Sequence, residues 1–142
     1  LLNQGFPKCV RLLGSRQYQV VYEKGKRIQG ANLQLFFALN DLKSPRFGIS
    51  VGRRLGNAVR RNLLKRRIRE ALRLLKASIP YGVDVVVHPK TSAGRLGSRA
   101  TFLEINRLLE QLTRALGTPQ EGRVTLPLLV QAVYLAVSTS GL

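Results

Sequence analysis

The chain has 142 residues, with 24 Lys and Arg against 7 Asp and Glu, a formal net charge of +17 and 44% hydrophobic residues. That length supports one domain with its own core, so no disulfide framework or structural metal is required, and the single cysteine, Cys9, excludes an internal disulfide and suits a reducing compartment. A one-sided charge of this size points to a polyanionic partner, nucleic acid or an acidic membrane surface, rather than to solubility, which Asp and Glu serve better.

Residues 1 to 14, LLNQGFPKCVRLLG, hold no sustained period and form an arm leading into the fold. They lack the charged, apolar and cleavage-site order of a secretory signal, and the expected location is cytoplasmic. Ser15 stands where it would cap a short first helix over RQYQVVYEK, which Gly25 would end in the left-handed region. Tyr18 and Tyr22 then lie at i and i+4 on one face. KGKRIQG offers a short edge strand. In NLQLFFALN, Leu33, Leu35, Phe37 and Leu39 alternate with Gln34, Phe36 and Ala38, the period of a strand. DLKSP supplies a turn. RFGISVGR, where Phe47, Ile49 and Val51 alternate with Gly48, Ser50 and Gly52, is then expected to be the antiparallel hairpin partner of the preceding strand.

Asn57 can cap a helix running to about Ser78, closed by Pro80 and Gly82. VDVVVH, Val83 to His88, is a short apolar run that fits a buried strand. After the loop PKTSAGRLGSRA, Thr101 and Glu104 form a capping box, and Ile105, Leu108, Leu109, Leu112 and Leu116 repeat at helical spacing until Gly117 and Pro119. The order α-β-β-β-α-β-α, with a helix between two strands, implies a βαβ crossover and an α+β class: three helices on a small mixed sheet of about four strands. Residues 1 to 117 make up this domain, and 118 to 142 are an almost uncharged, apolar C-terminal tail. Its most apolar run, Val124 to Val137, is short for a membrane span and carries Pro127 and Gln131, so no span is expected.

The stretch GNAVRRNLLKRRIREALR, Gly56 to Arg73, holds seven Lys or Arg and one Glu in eighteen residues. On a helical wheel Leu64, Ile68, Ala71, Leu72 and Leu75 share one side, the core stripe. Asn62, Lys65, Arg66, Arg69, Arg73 and Lys76 share an arc of roughly 100° elsewhere on the wheel. Like charges at i,i+4, such as Lys65, Arg69 and Arg73, repel by about 0.2 to 0.5 kcal/mol per pair, whereas an ordinary solvated face mixes signs. The stripe therefore reads as an anion-binding surface, arginine gripping phosphate with two donors and lysine as a point charge. Arg53, Arg54, Arg60 and Arg61 add to it just before and within the first turn.

The aromatics admit two uses. Tyr18, Tyr22 and Phe36 can offer faces for unpaired bases beside the cationic track, or the paired tyrosines can be core, with their hydroxyls at a wet edge. Catalytic constellations are missing from the sequence. His88 is the single histidine and, at the end of an apolar strand, reads as structural rather than as a general base; Cys9 has no partner, the carboxylates are scattered, and no P-loop motif occurs. No catalytic residue and no metal ligand set is assigned.

GNAVRRNLLKRRIRE resembles the protein component of bacterial ribonuclease P, with its Gly-Asn-Ala-Val stretch, Arg-Asn-Arg element and following basic helix. FPKCVRLLGSRQYQVVYEKGK resembles the family's opening and its first helix with two aromatics four apart; FGISVGRRLGNAV and YGVDVVVHPK resemble its third and last strands, so the likeness spans about residues 6 to 117. It implies a ribosomal-protein-S5-domain-2-like sandwich with a left-handed βαβ crossover, where general rules favour the right-handed one. It also implies a protein subunit that assists a catalytic RNA in removing the 5′ leader of precursor tRNA, the RNA holding the Mg²⁺ and the chemistry. Carried over by position, Arg53, Arg54, Asn57, Arg60, Arg61, Asn62, Lys65, Arg66, Arg69 and Arg73 are expected to meet RNA. Tyr18, Tyr22 and Phe36, with Lys65 and Arg69, are expected to line the cleft for the single-stranded leader. The third position of the Arg-Asn-Arg element is Leu63, which removes one expected contact, with Arg60 and Arg67 as bases nearby. Two other classes fit the charge: a ribosomal-type RNA-binding module without a role in cleavage, and a membrane-surface protein using the apolar tail.

Overall fold

The computed structural model describes residues 10–79 and 82–117. Residues 1–9 with Cys9, Pro80, and the tail with Pro119 lie outside the described residues. Helix α1 (Gly14–Lys24) precedes strands β1 (Lys26–Gln29), β2 (Leu33–Leu39) and β3 (Arg46–Ile49); helix α2 (Ala58–Leu75), strand β4 (Val83–Pro89) and helix α3 (Ser98–Leu116) follow. The result is the α+β arrangement of three helices and a four-stranded mixed sheet expected from the sequence.

The strand order is β1-β2-β4-β3, and this overturns the expected hairpin. β4 lies between β2 and β3, antiparallel to the first and parallel to the second, so β3-α2-β4 is a βαβ crossover. The reason lies in β4 itself. Val83, Val85, Val86 and Val87 are all buried, so this strand has apolar residues on both faces and fits the middle of a sheet, whereas a hairpin of β2 with β3 would leave it at an edge. The DLKSP segment consequently crosses the end of β4 instead of making a tight turn. Asn40 N–H donates to the Gly82 carbonyl at 2.9 Å and Asn40 Nδ2 to Asp84 Oδ1 at 2.7 Å. A Cβ on Gly82 would sit 1.8 Å from the Leu42 carbonyl oxygen, so glycine is required at that crossing.

One face of the sheet carries Leu33, Leu35, Phe37, Phe47, Val83, Val85 and Val87 against α2 and α3, forming the main core. The α2 core stripe is borne out: Leu64, Ile68, Ala71, Leu72 and Leu75 are its buried residues. The other face supports α1 through a smaller cluster of Leu12, Val21 and Val86, with Tyr18 and Phe36 packed beside it.

Three local expectations are corrected. Helix α1 starts after Leu13, not at a Ser15 cap, and the Leu13 N–H is satisfied by Gln17 Oε1 at 2.6 Å, four residues on. Gly25 is extended, with φ −88° and ψ 175°; it is required because a Cβ would lie 2.4 Å from the Phe37 carbonyl oxygen. Thr101 and Glu104 do not cap α3, which begins at Ser98. The Thr101 hydroxyl donates to the Gly97 carbonyl, while the buried Glu104 carboxylate accepts from the Asn32 and Leu33 N–H groups at 2.7 and 2.8 Å. A tertiary demand for acceptors between β1 and β2 took that carboxylate from the helix end. Residues 1 to 14 are also more than an arm at their end, since Leu12 N–H donates to the Phe47 carbonyl at 2.8 Å and Arg11 bridges β3 in parallel.

Candidate nucleic-acid interface

Asn57 starts α2 as expected: its Oδ1 accepts from the Arg60 N–H at 3.0 Å, so this side chain serves the cap. Gly56, at φ +118°, turns the chain into it, and Arg60 folds over that glycine. Along the helix, Asn62, Arg66 and Arg69 are exposed and Lys65 is half-buried. The arginines differ in how they are held. Arg61 Nε donates to the Gly56 carbonyl at 3.1 Å, and Arg67 reaches across to the Leu96 carbonyl, which fixes it on the side of the helix next to α3. Arg73 pairs with Glu70, and that hydrogen bond holds the Glu70 carboxyl below its usual range. The stripe is thus most open at Lys65, Arg66 and Arg69, which make no salt bridge among the described residues.

Lys65 and Arg69 line a hollow of about 200 Å³ together with Arg11, Tyr18, Gly48 and Ile49. Here the basic helix meets the α1 face of the sheet. Arg11 lines the same hollow, and its Nε is buried without a hydrogen-bond partner among the described residues. Tyr18 packs against Gly48, where a Cβ would come within 2.7 Å of its ring, and its hydroxyl accepts from the Ile49 N–H at 3.3 Å. Register across the sheet aligns Phe36 with Val86 and Val86 with Gly48, so Tyr18 and Phe36 share one row of this face.

Further along the same face, Tyr22 stands edge-on to Phe36 with ring centroids 4.8 Å apart, and both make edge contacts with His88. Tyr22 remains 37% exposed, too open for a core residue. His88 leads into a second hollow of about 560 Å³, lined also by Gln34, Arg53, Arg54 and Lys90. Arg53 and Arg54 are presented by a short 3-10 turn whose Leu55 is buried under them. The structure therefore gathers Tyr18, Tyr22 and Phe36 on the α1 face, brings Lys65 and Arg69 of α2 to Tyr18 beside the edge strand β3, and sets Arg53 and Arg54 by His88 at the far end. Asn62, Arg66 and Arg73 lie outward on α2, away from that face's hollows. Sequence reasoning missed Arg11, Gly48 and Lys90, whose roles follow from the sheet register and carried no local signal; it placed His88 in the structure but not in this cluster.

The exposed apolar residues Val59 and Leu63 stand beside the stripe, 75% and 42% accessible, and the Leu63 side chain offers no hydrogen-bond donor. Among the described residues no three His, Cys, Asp or Glu side chains cluster where they could hold a metal ion. The two buried carboxylates are spent, Asp84 on Arg46 at 2.8 Å and Glu104 on the β1–β2 connection. No helix among the described residues is long and apolar enough to cross a membrane.

Fold and site together define a small α+β protein with a strongly basic helix beside a half-wet aromatic sheet face. Comparison with known proteins narrows this: residues 6–113 match the family model described as Ribonuclease P, and the chain belongs to that family. The Ribonuclease P protein component of Thermotoga maritima is 35% identical over 117 residues, covering 82% of this chain and all of the relative. That of Finegoldia magna is 43% identical over 83 residues, 58% of this chain and 73% of its own length. Among solved structures, the Staphylococcus aureus RNase P protein superposes with a TM-score of 0.69 at 28% identity, covering 75% of this chain and 97% of that one. The Thermotoga maritima protein superposes with a TM-score of 0.68 at 33% identity, covering 72% and 97%. The chain is accordingly a protein subunit of ribonuclease P.

Proposed function

We propose that this subunit works in the 5′ maturation of tRNA by binding two RNAs at once. The exposed bases of α2 and the Arg53–Leu55 turn bind the catalytic RNA. The α1 face of the sheet binds the single-stranded leader of precursor tRNA, its bases against Tyr18, Tyr22 and Phe36 and its phosphates against Lys65 and Arg69. Magnesium and bond cleavage belong to the RNA partner, and the protein contributes charge, stacking surface and position. The observation that carries this reading is the shared hollow of Arg11, Tyr18, Lys65 and Arg69, in which three basic side chains adjoin an aromatic one. Phosphate satisfies the donors and a stacked base covers the ring.

Reconstitution with catalytic RNA and precursor tRNA tests it directly. The wild-type chain is expected to stimulate cleavage at low Mg²⁺, and Lys65→Glu with Arg69→Glu to lose that stimulation while the circular dichroism spectrum stays unchanged. An unaltered rate would remove these residues from the site. If about five bases meet phosphates, log K is expected to fall against log salt with a slope on the order of −3 to −4, and salt-insensitive binding contradicts the proposal.

A further inference from the structure

His88 is the chain's single histidine, and neither the cationic stripe nor the stacking platform makes use of it. Its place in the fold is specific. Nδ1 lies 3.5 Å from the Tyr22 hydroxyl, a long contact, and the ring stands perpendicular to both Tyr22 and Phe36 with centroids 6.3 and 6.1 Å away. The same side chain forms the wall of the hollow that holds Arg53, Arg54 and Lys90. Imidazole thus sits where the aromatic surface ends and the arginine turn begins. The groups that face it are Tyr22 from α1, Gln34 and Phe36 from β2, Arg53 and Arg54 from the turn, and Lys90 from the segment after β4. None is a carboxylate, and Lys90 Nζ is itself bonded to the Gly30 carbonyl at 2.8 Å.

We propose that His88 is a contact residue for the single-stranded RNA, and that it takes up a proton from solution when a phosphate of that strand, running past Tyr22, enters the hollow where the cleft adjoins the Arg53–Leu55 turn. This rests on the leader-cleft reading above. The physical basis is a contest between two environments. In the free protein, burial of the ring without an acidic partner favours neutral imidazole and pushes its pKa below the ordinary histidine value. A phosphate diester in the hollow supplies the missing negative charge, reverses that preference and raises the pKa. Binding and protonation are then linked: the strand binds tighter as pH falls, by at most tenfold per pH unit for one proton.

The probe is an oligouridylate with a 5′ hydroxyl, whose bases and diester phosphates do not titrate between about pH 5.5 and 7.5, the range in which histidine changes charge. As the only histidine, His88 is assignable in the proton NMR spectrum of the full chain without labelling. Its titration midpoint is expected to rise when the oligonucleotide is added. Affinity is expected to increase from pH 7.5 to 5.5 for the wild type and to be flat for His88→Phe, which keeps a ring against Tyr22 and Phe36 but cannot titrate. The salt dependence set by Lys65 and Arg69 should survive in that variant. An identical midpoint with and without RNA, or an equal pH dependence in His88→Phe, overturns the role of His88 while leaving the cleft intact. Absence of oligouridylate binding at every pH overturns the cleft itself, and the inference with it.

Discussion

The two faces of the central sheet are built from the same strands yet have different fates. Under α2 and α3, Leu33, Leu35, Val83, Val85 and Val87 are fully buried, and every side chain is consumed by packing. Under α1 the apolar residues that are buried are Leu12, Val21 and Val86, and the short helix leaves Tyr22 exposed and Tyr18, Phe36 and His88 half-exposed. A single eleven-residue helix cannot cover a four-stranded sheet, so the uncovered aromatic surface is free for a ligand. The first face holds the fold together, and the second, with the edge of α2, is the surface proposed to bind RNA.

Substitutions can break that division, beginning with the largest effect. Leu72→Ala, in the dry core between α2 and the sheet, is expected to cost about 2 to 5 kcal/mol of stability in urea melts, with RNA affinity per folded molecule unchanged. Tyr22→Ala should do the reverse. It is expected to weaken leader-containing substrate by about 1 to 3 kcal/mol, the worth of a stacked base, and to leave mature tRNA and the melting curve nearly untouched. Equal losses on both substrates would return Tyr22 to the core.

A smaller effect sharpens the contrast through pH. The pKa of His88 is lowered in the folded protein, so below the ordinary histidine pKa the unfolded chain holds more protons and folding is disfavoured. Without RNA, stability is therefore expected to fall slightly as pH drops through the histidine range, and His88→Phe to remove that decline in melts at successive pH values. The smallest change is Glu70→Gln, which releases Arg73 from its exposed surface pair. Stability is expected to move by no more than about 0.5 kcal/mol, with a slight gain in RNA affinity by titration at low salt.

Much of this was legible in the residues. The core and basic stripes of α2 were readable because a helix fixes which residues share a side, so Leu64 to Leu75 and Lys65 to Arg69 separate without tertiary information. The Asn57 cap was equally local. The β2–β3 pairing was not, because alternation identifies a strand without naming its neighbour, and β4 competes from over thirty positions away. Glu104 was misjudged for the same reason: its spacing from Thr101 suited a capping box, but the unpaired N–H groups of Asn32 and Leu33 were the stronger claim. Gly25 resembled a left-handed helix end, and its real constraint, the Phe37 carbonyl pressed against it, exists only once β2 is in place.

By itself the amino-acid sequence determined the class, the elements, the buried side of α2 and a cationic surface that its own seven acids cannot neutralise. These follow from periodicity and charge, which act over a few residues or over the whole chain. Tertiary structure alone decided that β4 divides β2 from β3, that Arg11 joins Lys65 and Arg69, and that His88 meets Tyr22. Those juxtapositions depend on which strand buries the most apolar surface in the centre of the sheet, a competition among distant segments that no short window of sequence contains.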